Sequence, residues 1–268
     1  MHTSIKRSFY LFYRYMLQNI KAILEYQSDF FILMSAAVLT QVLGFIFIWV
    51  VFRQIPDIHG WTFWEVVLMY AMLFFATGCS TFFFEGTWRL SSYILRGGMD
   101  IYLIRPVSPI LQVLSSAVGM NGLGNLTVGA FLIVSSLIHV DVEWTIFKMV
   151  LFLLFVVSGV VIRTAINLAA NCIAFWLLGS GNPFSMMVST LGDFAKFPIS
   201  IYSIGIKVLI SVIIPFSFIG YVPASFLFGK EDSSVLWGLL CPLAALYCMG
   251  MAVLIFHRGL KKYESVGN

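Results

Sequence analysis

Charge is the scarcest commodity in this sequence. Of 268 residues only 10% are Asp, Glu, Lys or Arg, while 60% are hydrophobic; soluble domains average about 25% charged and 45–50% apolar. The mean hydropathy of +0.95 excludes a water-soluble enzyme, because a fold of this size cannot hide so much apolar surface. A disordered or fibrous chain is excluded on the same ground. No G-x-x-x-x-G-K-[ST] run is present, so the chain cannot cradle ATP phosphates by that route. H-E-x-x-H and G-x-S-x-G are absent too, and no catalytic residue is assigned. The four histidines (2, 59, 139 and 257) are too dispersed for a metal site, and none is assigned. Cys79, Cys172, Cys241 and Cys248 lie inside apolar runs with no C-x-x-C, and read as small buried core residues. Sixteen basic residues against twelve acidic ones is too slight an excess to point to nucleic acid.

What the sequence has is apolar length. A span needs about 20 apolar residues, and runs long enough occupy roughly 30–52, 62–84, 113–138, 145–178, 200–228 and 235–256. The expectation is an all-α membrane protein with six transmembrane helices. Ahead of them, residues 1–28 carry Lys6, Arg7, Arg14 and Lys21 with no uncharged stretch of signal-peptide type. Arg7, Arg14, Gln18, Lys21 and Glu25 share one helical face, and most of the apolar side chains lie away from it. Residues 1–28 are therefore expected to form an amphipathic helix lying in the membrane interface. The organisation that follows is this helix, a transmembrane domain over 29–258 and a tail over 259–268.

Orientation follows from the basic residues. With the N-terminus inside, Lys6, Arg7, Arg14, Lys21, Arg89, Arg96, Arg105, Lys196, Arg258, Lys261 and Lys262 are cytoplasmic, and only Arg53, Lys148 and Lys230 are outside. Both termini are thus expected in the cytoplasm. The tryptophans agree, since Trp favours interfaces: Trp49, Trp61, Trp64, Trp144 and Trp237 fall at the outer face, Trp88 and Trp176 at the inner. The fourth run is expected to be one long or bent helix, because dividing it would export Lys261 and Lys262.

The longest cytoplasmic loop, 85–112, combines a short helix through Trp88–Leu95, a Gly97–Gly98 pair suited to a C-cap, an Asp100 that can cap a further turn and a closing Pro106. Its apolar residues are too many for an idle solvated loop. Its run R-G-G-M-D-I-Y-L-I-R-P-V-S-P, with F-P-I-S-I-Y at 197–202 and I-I-P-F-S-F-I-G-Y-V-P-A at 213–224, resembles type-2 ABC export permeases of the branch with small permease subunits and a separate ATPase. The resemblance covers nearly the whole chain. It implies a permease subunit in the cell membrane, of the bacterial cytoplasmic type, that pairs with a second permease subunit, identical or paralogous, among membrane lipid. It further implies P-loop ATPase subunits that bind ATP and Mg, so this chain carries no cofactor and is not itself an enzyme. The family's coupling helix maps onto this loop, with Arg89, Tyr93, Arg96, Gly97, Gly98, Asp100 and Arg105 as coupling residues. Arg163 has no counterpart in the family's pattern.

Arg163, Asn167 and Asn171 recur at i, i+4 and i+8 and share one face of the fourth helix. That face is either interhelical hydrogen-bonding glue with an Arg that snorkels to the surface or a polar stripe along the translocation pathway. Pro215 and Phe216 join it as candidate pathway residues. Segment 214–228 is either a re-entrant piece or part of a kinked helix. Two other classes stand as alternatives: a membrane-embedded lipid-modifying enzyme, and a secondary carrier, the latter disfavoured by the lack of midplane carboxylates.

Overall fold

A computed structural model describes residues 5–24, 27–177, 183–230 and 235–265. The ends of the predicted interfacial segment at 1–4 and 25–26, the close of the fourth run at residue 178, the outer loop at 231–234 and the last three residues of the tail lie outside the described residues. Among those described the architecture is all-helical: α1 Ile5–Leu24, α2 Gln27–Gln54, α3 Phe63–Phe84, α4 Gly86–Leu95, α5 Met99–Ile104, α6 Pro109–Ser115, α7 Asn121–His139, α8 Ile146–Asn171, α9 Pro183–Leu191, α10 Ile204–Val208, α11 Tyr221–Leu227 and α12 Val235–Leu260. Among the described residues five helices (α2, α3, α7, α8 and α12) are long and apolar enough to cross a membrane.

α3 is the central post. Its stretch Val66–Leu73 is almost wholly buried, and α7 runs against it on a seam of glycines. A Cβ added at Gly78 would stand 2.5 Å from the Leu126 nitrogen, one at Gly122 2.6 Å from the Phe82 nitrogen, and one at Gly129 2.8 Å from the Phe75 nitrogen. Small residues let two helices approach backbone to backbone where lipid offers no hydrophobic drive. Helix starts follow local chemistry. Glu65 accepts from the Thr62 amide (2.8 Å) at the start of α3, and the Thr145 hydroxyl accepts from the Lys148 amide (3.2 Å) at the start of α8.

The structure corrects two of the expected boundaries. The third span begins at Asn121 rather than 113, because α6 and the loop around Gly119 intervene. The fifth run is not a continuous helix over 200–228. α10 passes into a π turn at Leu209–Ile213, the chain extends at Ile214 (φ −128, ψ 91) ahead of Pro215, and a 3-10 turn at Phe216–Phe218 leads to α11. A residue before proline is pushed out of the helical region and proline has no N–H to donate, so the ladder stops there.

The path of 183–230 can be followed from its neighbours. α9 runs beside the second half of α8, where its Ser189 meets Arg163. By Phe197 the chain has reached Phe47 on α2 (ring centroids 6.4 Å). It then returns, since Ile214 packs into the cluster around Ile162, Phe175 and Phe256. From there it climbs again: Gly159 faces Ile219, Gly220 faces Met69, and Trp61 meets the Tyr221 ring at 5.5 Å. It ends with Lys230 Nζ 2.8 Å from Glu65 Oε2 and 2.8 Å from the Gly60 carbonyl. The segment therefore leads from the α4–α6 end of the bundle to the α2–α3 end.

Candidate functional site

The loop between α3 and α7 is built as a two-sided unit. Gly86 opens α4 because a side chain there would strike the Val113 carbonyl of α6 and Oγ of Ser116 just past its end. Leu90, Ile94 and Met99 are fully buried, in the same cluster as Leu168, Cys172 and Phe175 at the end of α8. Their apolar surface is spent on protein. Gly97 stops α4 in the left-handed region (φ 72), its amide reaching the Ile94 carbonyl at 3.4 Å. α5 follows at once, and Arg105 leaves it extended (φ −79, ψ 141) ahead of Pro106. Gln112 Nε2 then ties the loop shut by donating to the Tyr102 and Val107 carbonyls, each at 2.9 Å.

The coupling residues proposed from sequence divide between the two sides. Arg89, Arg96 and Arg105 are exposed. Tyr93 is half-buried, its hydroxyl 3.2 Å from Ser116 Oγ and its ring edge-on to Tyr102. Gly97 and Gly98 form the turn, and Asp100 accepts from Ser265 Oγ at 2.6 Å, so the C-terminal tail folds back onto α5. Burial, and then the adjacent Asp100, raise the Tyr263 hydroxyl to about 12. Burial also raises the Glu85 carboxyl, against the opposing charge of Arg89 3.8 Å away. Sequence reading did not single out Leu103 and Ile104, which stand exposed beside Ile101; Ile104 is 82% exposed, the tip of the loop. The signal was present in M-D-I-Y-L-I: Met99 and Tyr102, three apart, take the inner face of a one-turn helix and leave the others outward.

The second cluster lies inside the bundle. Arg163 is only 5% exposed, which corrects the expectation that it snorkels. Its guanidinium donates to Ser189 Oγ (3.2 Å) and lies 5.9 Å from the Trp88 ring centre and 5.5 Å from that of Phe216. Asn167 Nδ2 and Thr164 Oγ1 both reach Ser80 Oγ on α3 (3.3 and 3.1 Å), and Asn171 donates to the Asn167 carbonyl at 2.9 Å. Pro215 makes the break that brings Phe216 under Arg163. Of the five candidate pathway residues, Arg163 is turned towards α9 and Phe216, Asn167 towards α3, and Asn171 is buried one turn further along α8. Among the described residues no group of His, Cys, Asp or Glu could hold a metal ion.

A helical multi-pass membrane protein, with a structured loop folded under one end of its bundle and a broken segment threaded through it, is the class these features define. The family model described as ABC-2 family transporter protein matches residues 38–267. The chain belongs to that family and is a transport component of type-2 ABC permease kind. No curated protein and no solved structure matches it.

Proposed function

We propose that this chain is the permease subunit of an ATP-driven exporter. It supplies half of the translocation pathway and docks a separate P-loop ATPase through residues 85–112. The observation that supports this most is the two-sided loop. Its inner face is cemented to α8 and α6, while Arg96, Ile101, Leu103, Ile104 and Arg105 form an apolar tip with basic flanks. ATP and Mg belong to the ATPase, and the other half of the pathway belongs to a second permease subunit, identical or paralogous. The segment 183–230 acts as the sixth crossing, because it begins at one end of the bundle and finishes at the other. The basic asymmetry puts both termini and the loop in the cytoplasm, with α1 along the inner surface of the cytoplasmic membrane. In this arrangement Arg163, Asn167 and Asn171 brace the pathway wall from behind, and Pro215 and Phe216 shape its bend.

The test is copurification. Full-length chain drawn from its native membranes should bring an ATPase with it. Ile104→Glu should weaken that association more than Arg96→Glu. An apolar anchor at the centre of an interface costs at least about 2 kcal/mol to lose, against about 0–1 kcal/mol for a rim charge. Full ATPase retention and wild-type export by the double variant would remove the loop from any docking role.

A further inference from the structure

A lateral groove lies between α8, α9, α12 and the break at Pro215, a cavity of about 410 Å³ lined almost entirely by apolar side chains. Its floor is made of small residues, Ala165, Ala169 and Ala252, which is why there is room. Trp176 and Phe184 stand at its sides. On α12 the lining residues Tyr247, Met251 and Ile255 recur every four residues, a stripe of about 12 Å at the helical rise of 1.5 Å per residue. Arg258 continues that stripe. At 100° per residue it falls about 20° from Tyr247 and within the sector that Tyr247 and Ile255 bound, one turn nearer the end of the helix. Arg258, Lys261 and Lys262 are all exposed, and none forms an ion pair among the described residues. Trp176 sits at the same level, because its neighbour Phe175 packs against Gly259.

A long apolar slot with a tryptophan in its wall, Arg258 one turn beyond it and Lys261 and Lys262 next in the chain has the chemistry of one ligand class. Water does not fill an apolar cavity of this kind, Trp marks the headgroup level, and basic clusters at that level attract anionic lipid. We propose that the groove holds one acyl chain of an anionic phospholipid, whose headgroup rests on Arg258 with Lys261 and Lys262 beside it. The inference rests on membrane insertion and is independent of the export reading.

The test uses the full chain reconstituted in vesicles of equal parts phosphatidylglycerol and phosphatidylcholine, extracted in mild detergent and weighed by native mass spectrometry. Wild type should retain phosphatidylglycerol in preference to phosphatidylcholine. Arg258→Gln should reduce that preference about fivefold, the factor one basic residue near an anionic surface supplies, without lowering retained phosphatidylcholine. Ala169→Phe, which fills the groove from a half-buried position, should expel both lipids; Ala169→Leu serves if the larger side chain prevents folding. Equal retention of the two lipids by wild type overturns the proposal, as does undiminished phosphatidylglycerol in all variants. A wild type that holds no lipid, together with a groove-filling variant that no longer self-associates, also overturns it and gives the groove to a second copy of the chain.

Discussion

Arg163 stands in the bundle interior on one hydroxyl, two ring faces and the field of Asp193. A guanidinium within about 6 Å of a ring centre gains from the ring's negative face, and more so when desolvated. Much of its worth here is nevertheless volume, since its guanidinium fills the space between Trp88, Gly192 and Phe216. Arg163→Ala should therefore cost about 2–5 kcal/mol through the cavity it leaves, while Arg163→Met, close in size and uncharged, should cost less than about 1.5 kcal/mol. Thermal unfolding in detergent measures both. An Arg163→Met chain as unstable as Arg163→Ala would show that the charge itself holds the fold. The sequence put this residue in register with Asn167 and Asn171, and that register holds. Its depth was misread because the helix rise from Thr145 alone carries it towards the far surface. The chain that covers it, at 189–192 and at 216, returns from more than 20 residues away, and no periodicity within α8 records that.

Between α3 and α7 the fold depends on what is missing from the side chains. On α7 a Cβ added at Gly122 would meet backbone at 2.6 Å, and backbone cannot step aside as the end of a flexible side chain can. Gly122→Ala should force the two helices apart and lose about 1–3 kcal/mol, the usual penalty for overpacking. Gly250→Ala is its control, for nothing lies within 4 Å of that added Cβ. Equal melting temperatures for the two variants would mean that the seam is looser than its distances imply. Long apolar runs made α2, α3, α8 and α12 legible at once, and the glycines of α7 did not disguise it. The segment 183–230 was harder. Its punctuation at Pro215 and Pro223 was readable, but the excursion past Phe47 and back is set by tertiary contacts with α2 and α3. Lys196 shows the consequence: counted among cytoplasmic residues, it lies over the Phe74 ring at 5.2 Å, midway along α3.

For the molecule as a whole, the end that faces the cytoplasm can be read by labelling. All four cysteines are buried, so the native chain offers a quiet background for thiol labelling. Ile55→Cys, just past α2, and Ser108→Cys, between α5 and α6, replace exposed residues at opposite ends of the bundle. In intact cells an impermeant maleimide should label the first and not the second; the reverse pattern would invert the orientation drawn from the basic residues. The 85–112 loop was legible as a helix–Gly-Gly–helix unit with a closing proline, and its outward apolar tip was not. Which face of a six-residue helix turns out is decided by what Met99 and Tyr102 find to pack against, and those partners sit on other elements.

The segment 183–230 resembles a jointed rod fixed at two stations. One pin is Lys230 on Glu65, beside the turn that joins α2 and α3; the other is Ser189 on Arg163. Between the pins lie joints at Phe197–Pro198, at Tyr202–Ser203 and at Ile214–Pro215. A rod held in this way cannot slide, so any push on it is taken up by bending at the joints. Arg163 bears on Trp88 from one side and on Phe216 from the other. A single side chain thus separates the outward-facing loop from the nearest joint. Leverage applied to α4 has a short route to a break in the chain, at Ile214–Pro215.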